Sequence, residues 1–146
     1  GERHSRPFRL HVVSRLAAAL ADLPPGAAVV VAGDFNDYAD GHTLRLLERH
    51  GLRNVTASAT GLYGRAKGTY RYRGLWGSID HVLVSPSLLP QVDRAYVNDH
   101  DFLLEEDTRY GGWKPRRTYN GMRYQDGFSD HLPLVVRLRQ RACPPF

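Results

Sequence analysis

Ala28-Val29-Val30-Val31-Ala32-Gly33-Asp34-Phe35-Asn36 is the stretch from which the rest of the chain is read. The short, continuous, valine-rich run over 28–32 predicts a strand buried on both faces, with Gly-Asp-Phe-Asn at its C-terminal end. Two later stretches share the arrangement. Ser78-Ile79-Asp80-His81-Val82-Leu83-Val84 carries a carboxylate inside an apolar run, and Ser129-Asp130-His131 opens a closing run from Leu132 to Leu138. Strand ends at one sheet edge are where side chains from distant positions converge into a site. Asp34, Asp80 and Asp130, with Asn36 and His131, suit divalent-metal-assisted cleavage of a phosphate ester. Carboxylate oxygens are hard ligands for such an ion, and an imidazole meets charged phosphoryl oxygens.

Each motif alone also reads as a turn, because Asp, Asn and Ser bond their own backbone and Gly supplies an unusual dihedral. Asp80 resists that reading. A buried, unpaired carboxylate costs several kcal/mol, on the order of 3–5 when a partner is removed. A histidine from another strand end would satisfy it. His81, adjacent in the same strand, points to the opposite face and reads as a packing residue.

Working outward, Ser5 is placed to cap a helix with Pro7 in its first turn, and Phe8, Val12, Leu16 and Leu20, joined by Val13 and Leu23, make its apolar stripe. Pro24-Pro25-Gly26 ends it. Asp40 is placed to cap a second helix with Leu44, Leu47 and His50 along one side and Gly51 as terminator. Strands are predicted over 68–73, 78–84, 91–97 and 132–138, with Arg65, Lys67, Arg71 and Arg73 on a solvent face. Leu132, Leu134, Val136 and Leu138 share a face of the last strand. The segment 98–128 is polar, aromatic and glycine-rich without a period, and so long a loop in a compact domain is often functional. Residues 139–146, with two prolines, are expected to form a mobile tail. The other histidines, His4, His11, His42, His50 and His100, show no ligand spacing.

The chain has 146 residues, enough for one domain. Its formal charge of +5 favours anionic partners such as nucleic acid, phospholipid headgroups or phosphorylated small molecules, and serves solubility equally well. A single cysteine excludes an internal disulfide and a cysteine-based zinc site. No apolar run reaches the length of a membrane span. The chain opens on Gly1 rather than Met, which leaves an upstream segment open.

The ordered motifs, strand–Gly-Asp-x-Asn, Ile-Asp-His opening a strand, and Ser-Asp-His before the last strand, resemble the C-terminal part of the endonuclease/exonuclease/phosphatase superfamily, over about Phe8 to Leu138. The resemblance implies an α/β (α+β) fold of the DNase I-like kind, a two-sheet β-sandwich with outer helices. It assigns Asp34 to orienting and deprotonating the attacking water, and Asn36 to a phosphoryl oxygen or the nucleophile. Asp130 becomes a ligand of Mg2+ or Mn2+, and His131 the group that stabilises phosphoryl charge, with Asp80 holding its imidazole. Phe102 to Asp107, Tyr110-Gly111-Gly112, Arg117 to Gly121 and Gly127 to Pro133 are similar to a bacterial branch of the superfamily. Secretion or a periplasmic location follows only if a signal peptide lies upstream. Arg116, Arg117 and Tyr119, beside Lys114, are candidates for a basic, aromatic lip that binds a phosphorylated substrate; the alternative is a solvated loop.

The superfamily's early Asn, metal-anchoring Glu and mid-chain residue have no counterpart ahead of Phe8. The sequence therefore reads as the C-terminal portion, 1–138, of a longer phosphoesterase domain, needing the remainder or a second copy of itself to cover an apolar sheet face. In isolation it is expected to be inactive. The alternative is a non-catalytic module that keeps the fold and binds phosphorylated ligands or nucleic acid.

Overall fold

The computed structural model describes residues 2–140. It is a mixed helix-and-sheet structure of two helices and several small antiparallel sheets. The valine run forms β1 (Val30–Asp34), which pairs with β5 (Asp80–Val84), and β5 pairs on its other edge with β2 (Arg53–Asn54). The β1–β5 register sets Asp34 opposite Asp80. Two of the three sequence motifs therefore meet at one sheet end through backbone pairing alone.

Helices α1 (Glu2–Ala21) and α2 (His42–Arg49) cover one face of this sheet. Val13, Leu44, Leu47, Leu52 and Leu83 form the core between them, with Leu16, Leu20, Val31 and Phe35 packed against it. The other face of β1 is not buried: Val30 is 51% exposed. The expectation of a β1 run over 28–32 buried on both faces is thus corrected. The strand begins two residues later, and only Val31 turns toward the helices, because a single layer covers the sheet.

The helix ends also differ from the expectation. α1 starts at Glu2, so Ser5 and Pro7 lie within it and Ser5 is not its cap. Its packed stripe runs through Val13, Ala17, Leu16 and Leu20, leaving Phe8 and Val12 outward. The start of α2 is held by Asp37 rather than Asp40: Thr43 donates its N–H to Asp37 Oδ2 at 3.1 Å and Tyr38 donates to Oδ1 at 3.0 Å. Gly41 permits this, since a Cβ there would fall 2.0 Å from Asp37 Oδ1. Gly51, at φ +93°, ends the helix, and His50 is its exposed C-cap rather than part of the buried side.

A second core lies across the chain from the first. Ala59, Ala66, Val97, Leu103, Leu104 and Leu132 build it, with Trp76 and Leu134 against it. The strands here are β6 (Val92–Val97) with β11 (Leu134–Leu138), and the hairpin β3 (Tyr70–Tyr72) with β4 (Leu75–Gly77). The aperiodic segment is more regular than its sequence implies. It contains β7 (Leu104–Glu106) paired with β8 (Trp113–Pro115), and a hairpin of β9 (Tyr119–Asn120) with β10 (Arg123–Tyr124). Each pair is too short for a sequence period to emerge.

Arg71 is not on a solvent face. It is buried, donating from Nη2 to the Gly111 carbonyl at 2.6 Å and from Nη1 to the Trp113 carbonyl, with Asp107 at 3.8 Å. Arg139, placed in the expected tail, donates its backbone N–H to the Gln91 carbonyl at 2.7 Å and its Nε to Asp93 Oδ1 at 2.8 Å. Residues 141–146, including Cys143, lie outside the described residues. No helix among the described residues is long and apolar enough to cross a membrane.

Candidate active site

Backbone pairing also delivers the third motif. Tyr70 bridges His131, and Leu132 donates its N–H to the Thr69 carbonyl at 2.7 Å. This fixes His131 beside β3 and β5, where its Nδ1 lies 2.8 Å from Asp80 Oδ2. The expectation that Asp80 sits within hydrogen-bond reach of His131 is met. Thr69 donates its hydroxyl to the same Asp80 oxygen at 2.5 Å, so that carboxylate oxygen has two donors and a fixed orientation.

Ligand atoms of Asp34, Asp80 and His131 lie within 4.8 Å of one another. They line a cleft of about 390 Å3 floored by the β1–β5 strand ends and walled by Ser129 and Pro133. Asn36 stands at the turn after β1 with φ +48°, a left-handed conformation that Asn tolerates better than most residues. Its N–H donates to Asp34 Oδ1 at 2.8 Å and its Nδ2 to Oδ2 at 3.2 Å, so Asn36 orients Asp34 directly. Asp130 is exposed and outside the close cluster, near enough only to add to the negative field at His131.

The electrostatics favour an ion pair between Asp80 and His131. The hydrogen bond to Asp80 holds the His131 imidazolium above its ordinary value; partial burial opposes this, and the charges of Asp80, Asp130 and Asp34 add to it. Burial pushes Asp80 up, but the hydrogen bonds from His131 and Thr69 outweigh it and the carboxyl lies below its usual value. The stabilisation from this pair is complete above the ordinary Asp value of 3.8 and below the ordinary His value of 6.5. It is lost as pH falls through the lowered Asp80 value or rises through the raised His131 value. By NMR, His131 is expected to titrate above 6.5, and Asp80→Asn to return it toward 6.5. A midpoint at or below 6.5 in the unaltered protein would contradict the ion pair.

His81 is fully buried, and its ring bonds Asn54 and Asp37 rather than turning to Asp80. Its Nδ1 accepts from Asn54 Nδ2 at 3.1 Å, and its Nε2–H donates to the Asp37 carbonyl at 2.9 Å. That pairing is the neutral tautomer with its proton on Nε2.

Arg116, Arg117 and Tyr119 have different neighbours. Arg117 stacks over the Tyr70 ring at 5.6 Å, and that ring lies 4.8 Å from the His131 imidazole. Arg116 instead meets Asp126 at 3.7 Å, and Tyr119 packs edge-on against Tyr124 at the exposed hairpin. Thr69 and Tyr70 are the neighbours that sequence reasoning missed. Thr69 falls among alternating Arg and Tyr residues, where only the pairing with Leu132 reveals that it faces Asp80.

Asp34, Asp80 and Asp130 are the hard oxygen donors a divalent ion prefers, but His131 Nδ1 and Asp80 Oδ2 are already bonded to each other. The described residues therefore suit the ion in kind without completing an octahedral shell.

The sequence pattern of the endonuclease/exonuclease/phosphatase family matches residues 1–140. Comparison with curated protein sequences finds no significant match. Among solved structures, an endonuclease/exonuclease/phosphatase family protein from Bacteroides thetaiotaomicron is similar at 19% identity and a TM-score of 0.54, over 94% of this chain and 44% of that one. A mannosyl-6-phosphatase from the same organism is similar at 20% identity and a TM-score of 0.53, over 89% of this chain and 43% of that one. The likeness is one of fold. This chain spans less than half the length of either structure.

Proposed function

This chain belongs to the endonuclease/exonuclease/phosphatase family, and from that premise we propose that it carries the catalytic groups of a metal-dependent hydrolase that cleaves a phosphate ester with an activated water. The observation that carries the reading is the Asp80–His131 ion pair opening on the same cleft as Asp34. His131 spends Nδ1 on Asp80, which leaves Nε2–H to donate to a phosphoryl oxygen as charge builds there. Asp34, oriented by Asn36, is the base that orients the water and takes its proton. Asp130 is the ligand for Mg2+ or Mn2+, with any further donors from water, Asp34 or residues beyond this chain. When bound, such an ion draws charge from the phosphoryl oxygens. Arg117, one ring from His131, is the basic residue best set to meet the substrate.

Residues 1–138 are read as the C-terminal part of the domain. The exposed Val30, on the face of β1 away from the helices, marks where the remainder of the domain, or a second copy, would pack. The test is phosphate or nucleotide release by the whole protein from phosphomonoesters and DNA, in Mg2+, Mn2+ and chelator. Hydrolysis of at least one class that chelator abolishes and either metal restores is expected. No hydrolysis of either class with either metal would overturn the proposal.

A further inference from the structure

A groove of about 630 Å3 is lined in part by Arg117, which stacks on the Tyr70 ring beside His131, and its other cations have no part in the proposed chemistry. Five cationic side chains line it, Arg71, Arg73, Arg109, Lys114 and Arg117, against two carboxylates, Glu105 and Asp107. Both carboxylates are already engaged. Lys114 meets Glu105 at 3.3 Å, while Asp107 faces Arg71 and accepts the N–H groups of Arg109 and Tyr110. Among the described residues, Arg73, Arg109 and Arg117 form no ion pair within 4.0 Å.

The cations are not simply splayed into water. Arg73 and Arg109 lie against the rings of Tyr72 and Tyr110 at 5.2 Å each, and Arg117 is held by the Arg71 carbonyl at 3.1 Å and the Tyr70 ring. Arg71 beneath them is 8% exposed, and its buried Nε has no acceptor among the described residues. Concave, like-charged surfaces concentrate field lines and raise the local concentration of counter-ions. A guanidinium also presents a planar fork that matches phosphate oxygens.

We propose that this groove binds a second phosphate group of the substrate, so that the ester cleaved at His131 belongs to a multiply phosphorylated molecule. That the bound molecule is a substrate rests on the hydrolase reading; the anion site does not. Arg117 lines the groove and stacks on the ring that touches His131, which links the held phosphate to the reacting one. The same chemistry is offered by the backbone of a nucleic acid and by a sugar carrying two phosphates.

The test is calorimetry on the whole protein without divalent metal, using tripolyphosphate and orthophosphate as probes. Tripolyphosphate is expected to bind at least about tenfold more tightly than orthophosphate, and Arg73→Gln with Arg109→Gln to weaken it at least about tenfold. Both arginines are exposed, so circular dichroism should show the fold unchanged. His131→Ala should keep tripolyphosphate binding, which separates this site from the hydrolase reading. Displacement by a short single-stranded oligonucleotide supports the nucleic-acid source, and displacement by a sugar bisphosphate alone supports the small-molecule source. Equal affinity for the two probes, no loss in the double variant, or displacement by neither competitor would overturn the proposal.

Discussion

Asp34→Asn or His131→Ala in the whole protein is expected to lower turnover at least about 100-fold, because each removes a positioned group that acts in the transition state. The two changes differ in kind. Asp34→Asn preserves shape and one of the two bonds from Asn36 but loses the proton acceptor, so substrate binding should hold while turnover falls. His131→Ala deletes both the donor to the phosphoryl oxygens and the partner of Asp80, leaving that carboxylate with Thr69 alone. Asp80→Asn should cost less than His131→Ala, since the imidazole stays but loses its charge preference. Near-normal turnover by Asp34→Asn on the protein's own substrate would remove that carboxylate from the mechanism.

Asp99→Ala is expected to destabilise the fold by about 3–4 kcal/mol, although Asp99 lies outside the cleft. Its fully buried carboxylate accepts three backbone donors: Tyr63 at 2.8 Å, Arg65 at 2.7 Å and Ala66 at 3.0 Å. Burial pushes its carboxyl up, but these three bonds outweigh it and hold the group below the ordinary range. Gly61 makes room, since a Cβ there would meet Asp99 Oδ2 at 2.0 Å. Removing the carboxylate strands those N–H groups and opens a void beside β6. Urea unfolding measures the loss; a change under about 1 kcal/mol would mean that water replaces the side chain without penalty.

Sequence reading succeeded where a residue's role follows from local chemistry. A carboxylate in an apolar run needs a partner, and Asp80 found His131. An apolar run and a glycine after a one-sided helix placed β5 and the end of α2. It failed where the partner lies far along the chain and the residue is ordinary. Asp99, Thr69 and Tyr70 carry no local mark, because their importance arises from pairing with Ala66, Asp80 and His131. Arg71 was misplaced for a related reason: alternation identifies the two faces of a strand but not which one another hairpin will cover. The cap of α2 moved from Asp40 to Asp37 because the chain loops back before the helix starts, and loop geometry has no period to read.

Tyr70 touches the imidazole of His131 on one account and the guanidinium of Arg117 on another. For anyone diversifying this scaffold, position 70 is therefore a point where selectivity and speed are tied together. Under the proposed chemistry, changes there are expected to alter binding and turnover together. Positions 73 and 109, which reach the groove from its exposed rim, are the ones to randomise when a new ligand is wanted with the turnover machinery intact.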